Sequence, residues 1–372
     1  MEHFVQAVTI RWYNACAYYA VSLSKGLMAL GHRVTIVSEH GNPVLEKSQE
    51  SGIDIFENTN RMFAYPLTFF QKVHACRKFA FENNVALVNA HHGSDHLLWS
   101  IALRGTGIPL IRTSGNQIPP NHNMCSQFLV KKKSAGVIAS CRTIHGFFSR
   151  SFDIEPEKIA IINGGVDSDF YTPAHPGGVV RKNLGLPEDA FVFGILARYS
   201  PDKGHSNFFR AAEIVAKKHS NAWFLVAGWN AQLSEKDMRS MASEAGISNR
   251  TRFAGRYPDN RDLISSLDVG VIASIGSETV CRIAMEYMAM GIPVVATDTN
   301  VIPEIVHHAS TGLIVPAENP KALASAMEHM IMLKEKARTF GECGRKIIEE
   351  EYSLPSFASK TLKAYRSMTH ID

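Results

Sequence analysis

Two pairs of ionisable residues in the second half of this 372-residue chain have types and spacings that could bind a phosphorylated, hydroxyl-rich ligand. Arg198 and Lys203 lie in GILARYSPDKGH, just past an apolar strand-like run and just before a helix opened by Gly204. Two cations beside a helix start make an anion site, because exposed backbone N–H groups and the helix dipole add to the side-chain charge. A pyrophosphate would satisfy it, although a solvated loop with two incidental charges would carry the same residues. Glu278 and Glu286 stand eight apart in ASIGSETVCRIAMEYMAMGIPVVATD. The pattern predicts a helix over Glu278–Met290, with Glu278 at its start and Glu286 about two turns in. Capping and surface solvation are the ordinary uses of such acids. Glu286, however, is surrounded in sequence by Ile283, Ala284, Met285, Met288 and Ala289. An acid in so apolar a helix needs a partner, and sugar hydroxyls are suitable ones.

Other chemistries leave no mark. No G-x-x-x-x-G-K-[ST] occurs, and no G-x-G-x-x-G follows the first strand-like run, which argues against a P-loop hydrolase and a nicotinamide dehydrogenase. The six cysteines form no C-x-x-C pair, and the His91–His92 and His307–His308 pairs lack neighbours at zinc spacing, so no metal site is expected. Hydrophobic residues make up 45% and charged residues 20%, which excludes disordered and fibrous classes. The net charge is +4, with 16 basic and 13 acidic side chains in residues 1–172. That bias is too small for a nucleic-acid-binding stripe, and no nucleic-acid partner is expected. The N-terminus lacks the basic and apolar regions of a signal peptide, and no stretch reaches the roughly 18 apolar residues of a membrane span. These features predict a cytoplasmic protein.

The elements that must position the four charged residues follow from periodicity. Strand-like runs are Phe4–Ile10, Arg33–Ser38, Val85–Asn89, Pro109–Thr113, Gly136–Ser140 and Lys158–Ile162, then 191–196, 223–228, 269–274 and 293–298. Helical patterns intervene, including Asn207–Lys218, Glu235–Ala245 and Pro320–Met332. Strand–helix alternation predicts parallel sheets covered on both faces by helices, and two such runs predict two α/β, Rossmann-like domains. Pro, Gly and Asp concentrate in Asp167–Asn183, which predicts domains over 1–170 and 171–352. Residues 353–372 form a further helix.

The runs ARYSPDKG, RFAGRYPDN, SET…AMEYMAMGIPVVATD and PEIV…TGLIVP together resemble glycosyltransferase family 4. The resemblance implies the GT-B fold, two Rossmann-like domains whose parallel sheets face across a cleft, and a retaining, metal-independent hexosyltransferase-like enzyme that uses a nucleotide diphosphate sugar and no cofactor. It implies that the final helix packs back on the first domain. It further implies that Arg198 and Lys203 hold the donor diphosphate, that Glu278 binds donor sugar hydroxyls, and that Glu286 binds the nucleotide ribose. Arg256 and Tyr257, after Gly255, match the loop that in the family lies along the nucleobase. In LVNAHHGSD, His91 matches the family's His-containing loop on the acceptor side, where a structural histidine is as natural a reading. The resemblance also implies a saccharide or lipid-linked acceptor, and a setting in bacterial cell-surface polysaccharide or lipopolysaccharide assembly.

The chain departs from the family's pattern at three places. Thr279, Val280, Cys281 and Arg282 replace a Gly-rich turn after the first acid, so Thr279 and Arg282 join the donor-binding candidates. Asn14–Ala15 replaces a glycine pair in the first loop, and Gly115 stands where a His is common. A GT-B nucleotide-sugar epimerase and a non-catalytic GT-B scaffold are therefore rival readings. Asp167–Ser168–Asp169 spells D-x-D, but a linker turn with a cap explains it better than a metal site. Finally, Phe69, Phe70, Val73, Phe79 and Phe81 beside Lys72, Arg77 and Lys78, with Lys131, Lys132 and Lys133, would suit either a domain core or peripheral contact with an inner membrane.

Overall fold

In the computed structural model of the chain the described residues are 1–10, 12–58, 66–115, 123–175, 178–257, 259–276 and 278–369. The chain divides into two compact units, residues 1–165 with 352–372, and residues 166–351.

The first unit is built on a seven-stranded sheet. Its strands are β1 (His3–Ala7), β2 (Arg33–Ser38), β3 (Asp54–Glu57), β4 (Leu87–Ala90), β5 (Leu110–Ser114), β6 (Gly136–Ala139) and β7 (Ile159–Ile161). They lie in the order β3-β2-β1-β4-β5-β6-β7, all parallel. The second unit carries β8 (Phe191–Leu196), β9 (Ala222–Ala227), β10 (Thr251–Gly255), β11 (Val269–Ile272), β12 (Val294–Thr297) and β13 (Gly312–Val315), ordered β10-β9-β8-β11-β12-β13 and again parallel. Both orders reverse beside the first strand, between β1 and β4 and between β8 and β11. In open parallel sheets that switch point opens a crevice at the carboxyl ends of the strands, where ligands bind.

Ten strands answer to the apolar runs of the sequence. The other three, β3, β10 and β13, are all sheet edges. DIFE, TRFAG and GLIV are short and mostly half-buried, so they lack the apolar run that a central strand needs.

In the first unit, the helix Ala15–Ala29 packs against the final helix, Leu354–Thr369. Their backbones approach so closely that a Cβ on Gly26 would lie 2.4 Å from the carbonyl oxygen of Leu354. On the helix Pro66–Glu82 the aromatic side chains divide. Phe69, Val73 and Phe79 pack on the buried cluster around Trp99, whereas Phe70 and Phe81 are exposed. No helix among the described residues is long and apolar enough to cross a membrane.

Candidate functional site

The two acid–cation candidates lie in the second unit, at the strand-to-helix junctions that flank its switch point. After β8 the chain runs through Arg198 into a tight turn, Pro201–Lys203, and then into the helix His205–Lys218. Gly204 joins turn to helix with φ of 67°, and a Cβ there would fall 1.8 Å from the carbonyl oxygen of Ala273. Only glycine supplies both the left-handed conformation and the missing side chain. The N–H of Ile275 donates to the carbonyl of Asp202 at 2.9 Å. The β8 turn is thereby pinned to the chain leaving β11.

This junction holds both cations, and each is already paired. Arg198 Nη2 donates to Asp202 Oδ2 at 2.8 Å, with Arg198 43% exposed. The Ser200 hydroxyl donates to the same carboxylate. Lys203 Nζ forms an ion pair with Glu278 Oε1, and here the side chains are only 16% and 8% exposed. Ser274 Oγ donates to that oxygen at 2.6 Å, while Thr297 and Thr299 donate to the Ser274 carbonyl at 2.6 and 2.7 Å. Glu278 is thus fixed from two junctions at once.

The helix bearing Glu286 spans Arg282–Ala289, four residues shorter at its start than the pattern predicted. Glu278 therefore belongs to the preceding turn, and Glu286 lies about one turn into the helix rather than two. The cause is Cys281, buried in the left-handed region at φ 40° and ψ 57°, where a helix cannot continue. A glycine-type backbone thus persists where the sequence has no glycine. Burial pushes the Cys281 thiol well up, with Glu278 acting in the same direction, so it is a packed thiol rather than a nucleophile. Thr279 is buried beside it.

Glu286 is fully buried. Its Oε1 takes Arg282 Nε at 2.8 Å and the Tyr171 hydroxyl at 3.0 Å. Among the described residues its Oε2 has no hydrogen-bond partner. Burial raises the carboxyl above the usual range, while Arg282, the Tyr171 hydroxyl and the Asn260 side chain pull the other way. A buried acid oxygen without a donor is costly, and a ligand hydroxyl would remove that cost. Arg256 is exposed and Tyr257 half-buried just beyond β10, after Gly255 at φ 60°.

The first-unit candidates behave differently. Asn14 caps the helix Ala15–Ala29, its Oδ1 accepting from Cys16 N at 3.0 Å and Ala17 N at 3.1 Å, so its side chain serves the helix. Ala15 is the first exposed residue of that helix. His91 is 2% exposed, and its Nε2 lies 2.8 Å from Gln6 Oε1 and 3.2 Å from Asn89 Nδ2. Burial, with Arg112 adding to it, lowers its pKa to about 3, so it stays neutral. In the D-x-D segment Asp167 Oδ1 accepts from Phe170 N at 3.1 Å, a local turn contact. Among the described residues no three His, Cys, Asp or Glu are grouped to hold a metal.

Asp202, Ser274 and Tyr171 orient these charged groups, and the sequence reading missed all three. An acid directly before Lys203 was a visible signal for Asp202. Nothing local marks Ser274 or Tyr171, because their partners lie across loops.

Comparison with known proteins places the second unit and most of the first. Residues 179–347 match the family model described as Glycosyl transferases group 1, and residues 17–170 match that of Glycosyltransferase Family 4. A D-inositol 3-phosphate glycosyltransferase of Corynebacterium glutamicum is 27% identical over 51% of the chain, and the match spans about half, 47%, of that relative's length. The structure of a glycosyltransferase from Rickettsia africae superposes with a TM-score of 0.88 at 20% identity, covering 100% of this chain and 99% of the other. Anabaena HepE in complex with UDP gives 0.85 at 20% identity, over 99% of this chain and 100% of that one. At such identities the structural likeness speaks for the fold.

Proposed function

The chain belongs to the glycosyltransferases of the GT-B fold, and from that premise we propose that it transfers a sugar, with retention, from a nucleotide diphosphate sugar to a saccharide or lipid-linked acceptor. The donor binds the second unit and the acceptor the first. The observation that carries the reading is the Lys203–Glu278 ion pair. It joins the two junctions of a switch point with a cation for a diphosphate and an acid for sugar hydroxyls. The arriving diphosphate draws Lys203 from Glu278 and Arg198 from Asp202, and Glu278 is then free to accept from hydroxyls. As the glycosidic bond breaks, negative charge grows on the departing diphosphate. Fixed cations that hold it more tightly in the transition state than in the ground state accelerate that step. The Glu286 Oε2 atom is matched to a ribose hydroxyl.

HepE binds UDP in its structure, and the Corynebacterium relative is named for a phosphorylated inositol. The first supports a nucleotide sugar donor. The resemblance of the motifs supports a setting in cell-surface polysaccharide or lipopolysaccharide assembly, with the protein in the cytoplasm or peripheral on the inner membrane.

Acceptor-dependent release of free nucleoside diphosphate tests the reading. Release without acceptor alongside an altered donor sugar would mean epimerisation, and no turnover despite donor binding would mean a scaffold. With Arg198 and Lys203 supplying the positive charge, activity should survive EDTA. Loss on chelation with rescue by Mg²⁺ or Mn²⁺ would overturn the metal-independent mechanism.

A further inference from the structure

The first unit holds an unusual cation. Arg112 lies on β5, which pairs with β4 one strand away from the switch point, and is only 5% exposed. A guanidinium carries five N–H donors and is held in place, when buried, by acids or several carbonyls. Among the described residues that of Arg112 makes one hydrogen bond, from Nη1 to the carbonyl of Ala90 at 3.1 Å, at the carboxyl end of β4. Asp95, 2% exposed in the first turn of the helix Gly93–Ala102, shares these surroundings. Its carboxylate is turned to another task, accepting from Thr9 N just past β1 at 2.8 Å. No ion pair joins Asp95 to Arg112, although each perturbs the other's titration. Burial lowers the Arg112 pKa to about 10, which leaves it charged at neutral pH.

The other titratable groups within reach of this charge do not neutralise it. Arg112 depresses the basicity of His91, His92 and His96, all of which burial already lowers. Burial holds the Cys16 thiol up at about 11, so it is no thiolate partner. Glu39 pairs with Lys72 at 3.7 Å and raises the Asp95 pKa rather than meeting Arg112. His92 caps the helix start, its Nδ1 accepting from Ser94 N at 3.5 Å and lying 2.7 Å from Ser94 Oγ. A charged, nearly buried fork with most donors unused thus stands beside a helix start at the β1–β4 switch point, where a doubly wound sheet receives ligands.

We propose that Arg112 is an oxyanion subsite of the first unit that takes a phosphate or carboxylate group of the sugar acceptor. This rests on the glycosyltransferase reading, because the donor diphosphate is assigned to the second unit and a different anion is needed here. A planar fork binds either oxyanion bidentately, which a lysine cannot do.

The test is calorimetric. Binding of UDP, GDP and ADP to the full chain is measured first, and failure of all three counts against the glycosyltransferase reading itself. With the bound nucleoside diphosphate saturating, glucose 6-phosphate, glucuronate and glucose are then titrated. The expected result is that one or both anionic probes bind at least tenfold tighter than glucose, and that Arg112→Gln removes the difference while nucleotide binding persists. The tighter of the two anionic probes distinguishes phosphate from carboxylate. Equal binding of all three sugars, or an Arg112→Gln variant within twofold of wild type, would overturn the subsite. Asp95→Asn keeps the acceptor for Thr9 N and removes the competing negative charge, so it should tighten anionic probes. Unchanged or weaker binding in that variant also counts against the proposal, and this arm stands even if Arg112→Gln does not fold.

Discussion

Lys203 and Arg198 carry the same charge into the same junction, yet their burial separates what their loss would do. Lys203→Ala leaves Glu278, 8% exposed, without its cation. Breaking a buried pair on one side costs about 3–5 kcal/mol. Arg198 pairs in a more exposed setting, where an ion pair is worth about 0–1 kcal/mol, so Arg198→Ala should be near neutral in stability. Both variants should lower kcat by about a hundredfold to a thousandfold, the scale of losing one fixed donor to a developing anion. The double variant Lys203→Ala, Glu278→Gln should recover much of the stability and none of the rate. Urea denaturation alongside initial rates checks all three, and equal stability of the two single variants would break the distinction. At Glu286 the orphan oxygen sets the expectation. Glu286→Gln should weaken nucleotide binding roughly tenfold to a hundredfold with the fold retained, since a hydrogen bond to a charged group is worth about 1.5–3 kcal/mol. Unchanged nucleotide affinity by calorimetry would make the acid purely structural.

Two short connections decide whether these residues meet, and they solve the same backbone problem with different residues. Gly204 sits at φ 67° against the carbonyl of Ala273, and Cys281 sits at φ 40° before the Glu286 helix. Gly204→Ala adds both a strained backbone and a clash with an immovable carbonyl, for roughly 2–5 kcal/mol. It should also push Lys203 away from Glu278 and weaken donor binding. Cys281→Gly relieves about 1 kcal/mol of left-handed strain and gives up a buried thiol of similar worth, so its urea midpoint should lie near that of wild type. A large loss in Cys281→Gly would mean that the thiol's packing, not the backbone, fixes the turn.

Across the whole molecule, buried histidines give the fold an acid limit. Burial lowers His91 and His96 to about 3 and His205 to about 4. In the unfolded chain these groups take up protons near pH 6.5, so between that value and their folded values the unfolded state binds more protons. Their contribution to stability is complete above pH 6.5 and declines as pH falls, by about 1.4 kcal/mol per pH unit for each histidine. Asp95, raised to about 6 by burial, acts in the opposite sense, since its folded form binds the proton first. Three histidines outweigh it, and stability should fall from pH 6 to pH 4. His91→Gln should lower that slope by about one proton's worth, and an unchanged slope would show that His91 is accessible to protons in the folded state.

Much of this protein is determined by local pattern alone. The central strands are written as apolar runs because both faces of a parallel sheet are buried, and the group of Arg198, Lys203, Glu278 and Glu286 is marked by charge at strand ends and by an acid in an apolar helix. The edge strands β3, β10 and β13 escaped notice because half-burial demands no such run. Tertiary structure alone decided the pairing. It set Lys203 on Glu278 and Tyr171 on Glu286, 75 and 115 residues apart. It placed Glu278 in the turn before its helix, since a left-handed cysteine leaves no trace in periodicity. It also left the Arg112 guanidinium short of partners, because the satisfaction of a buried donor depends on chain segments that meet only when the sheet is assembled.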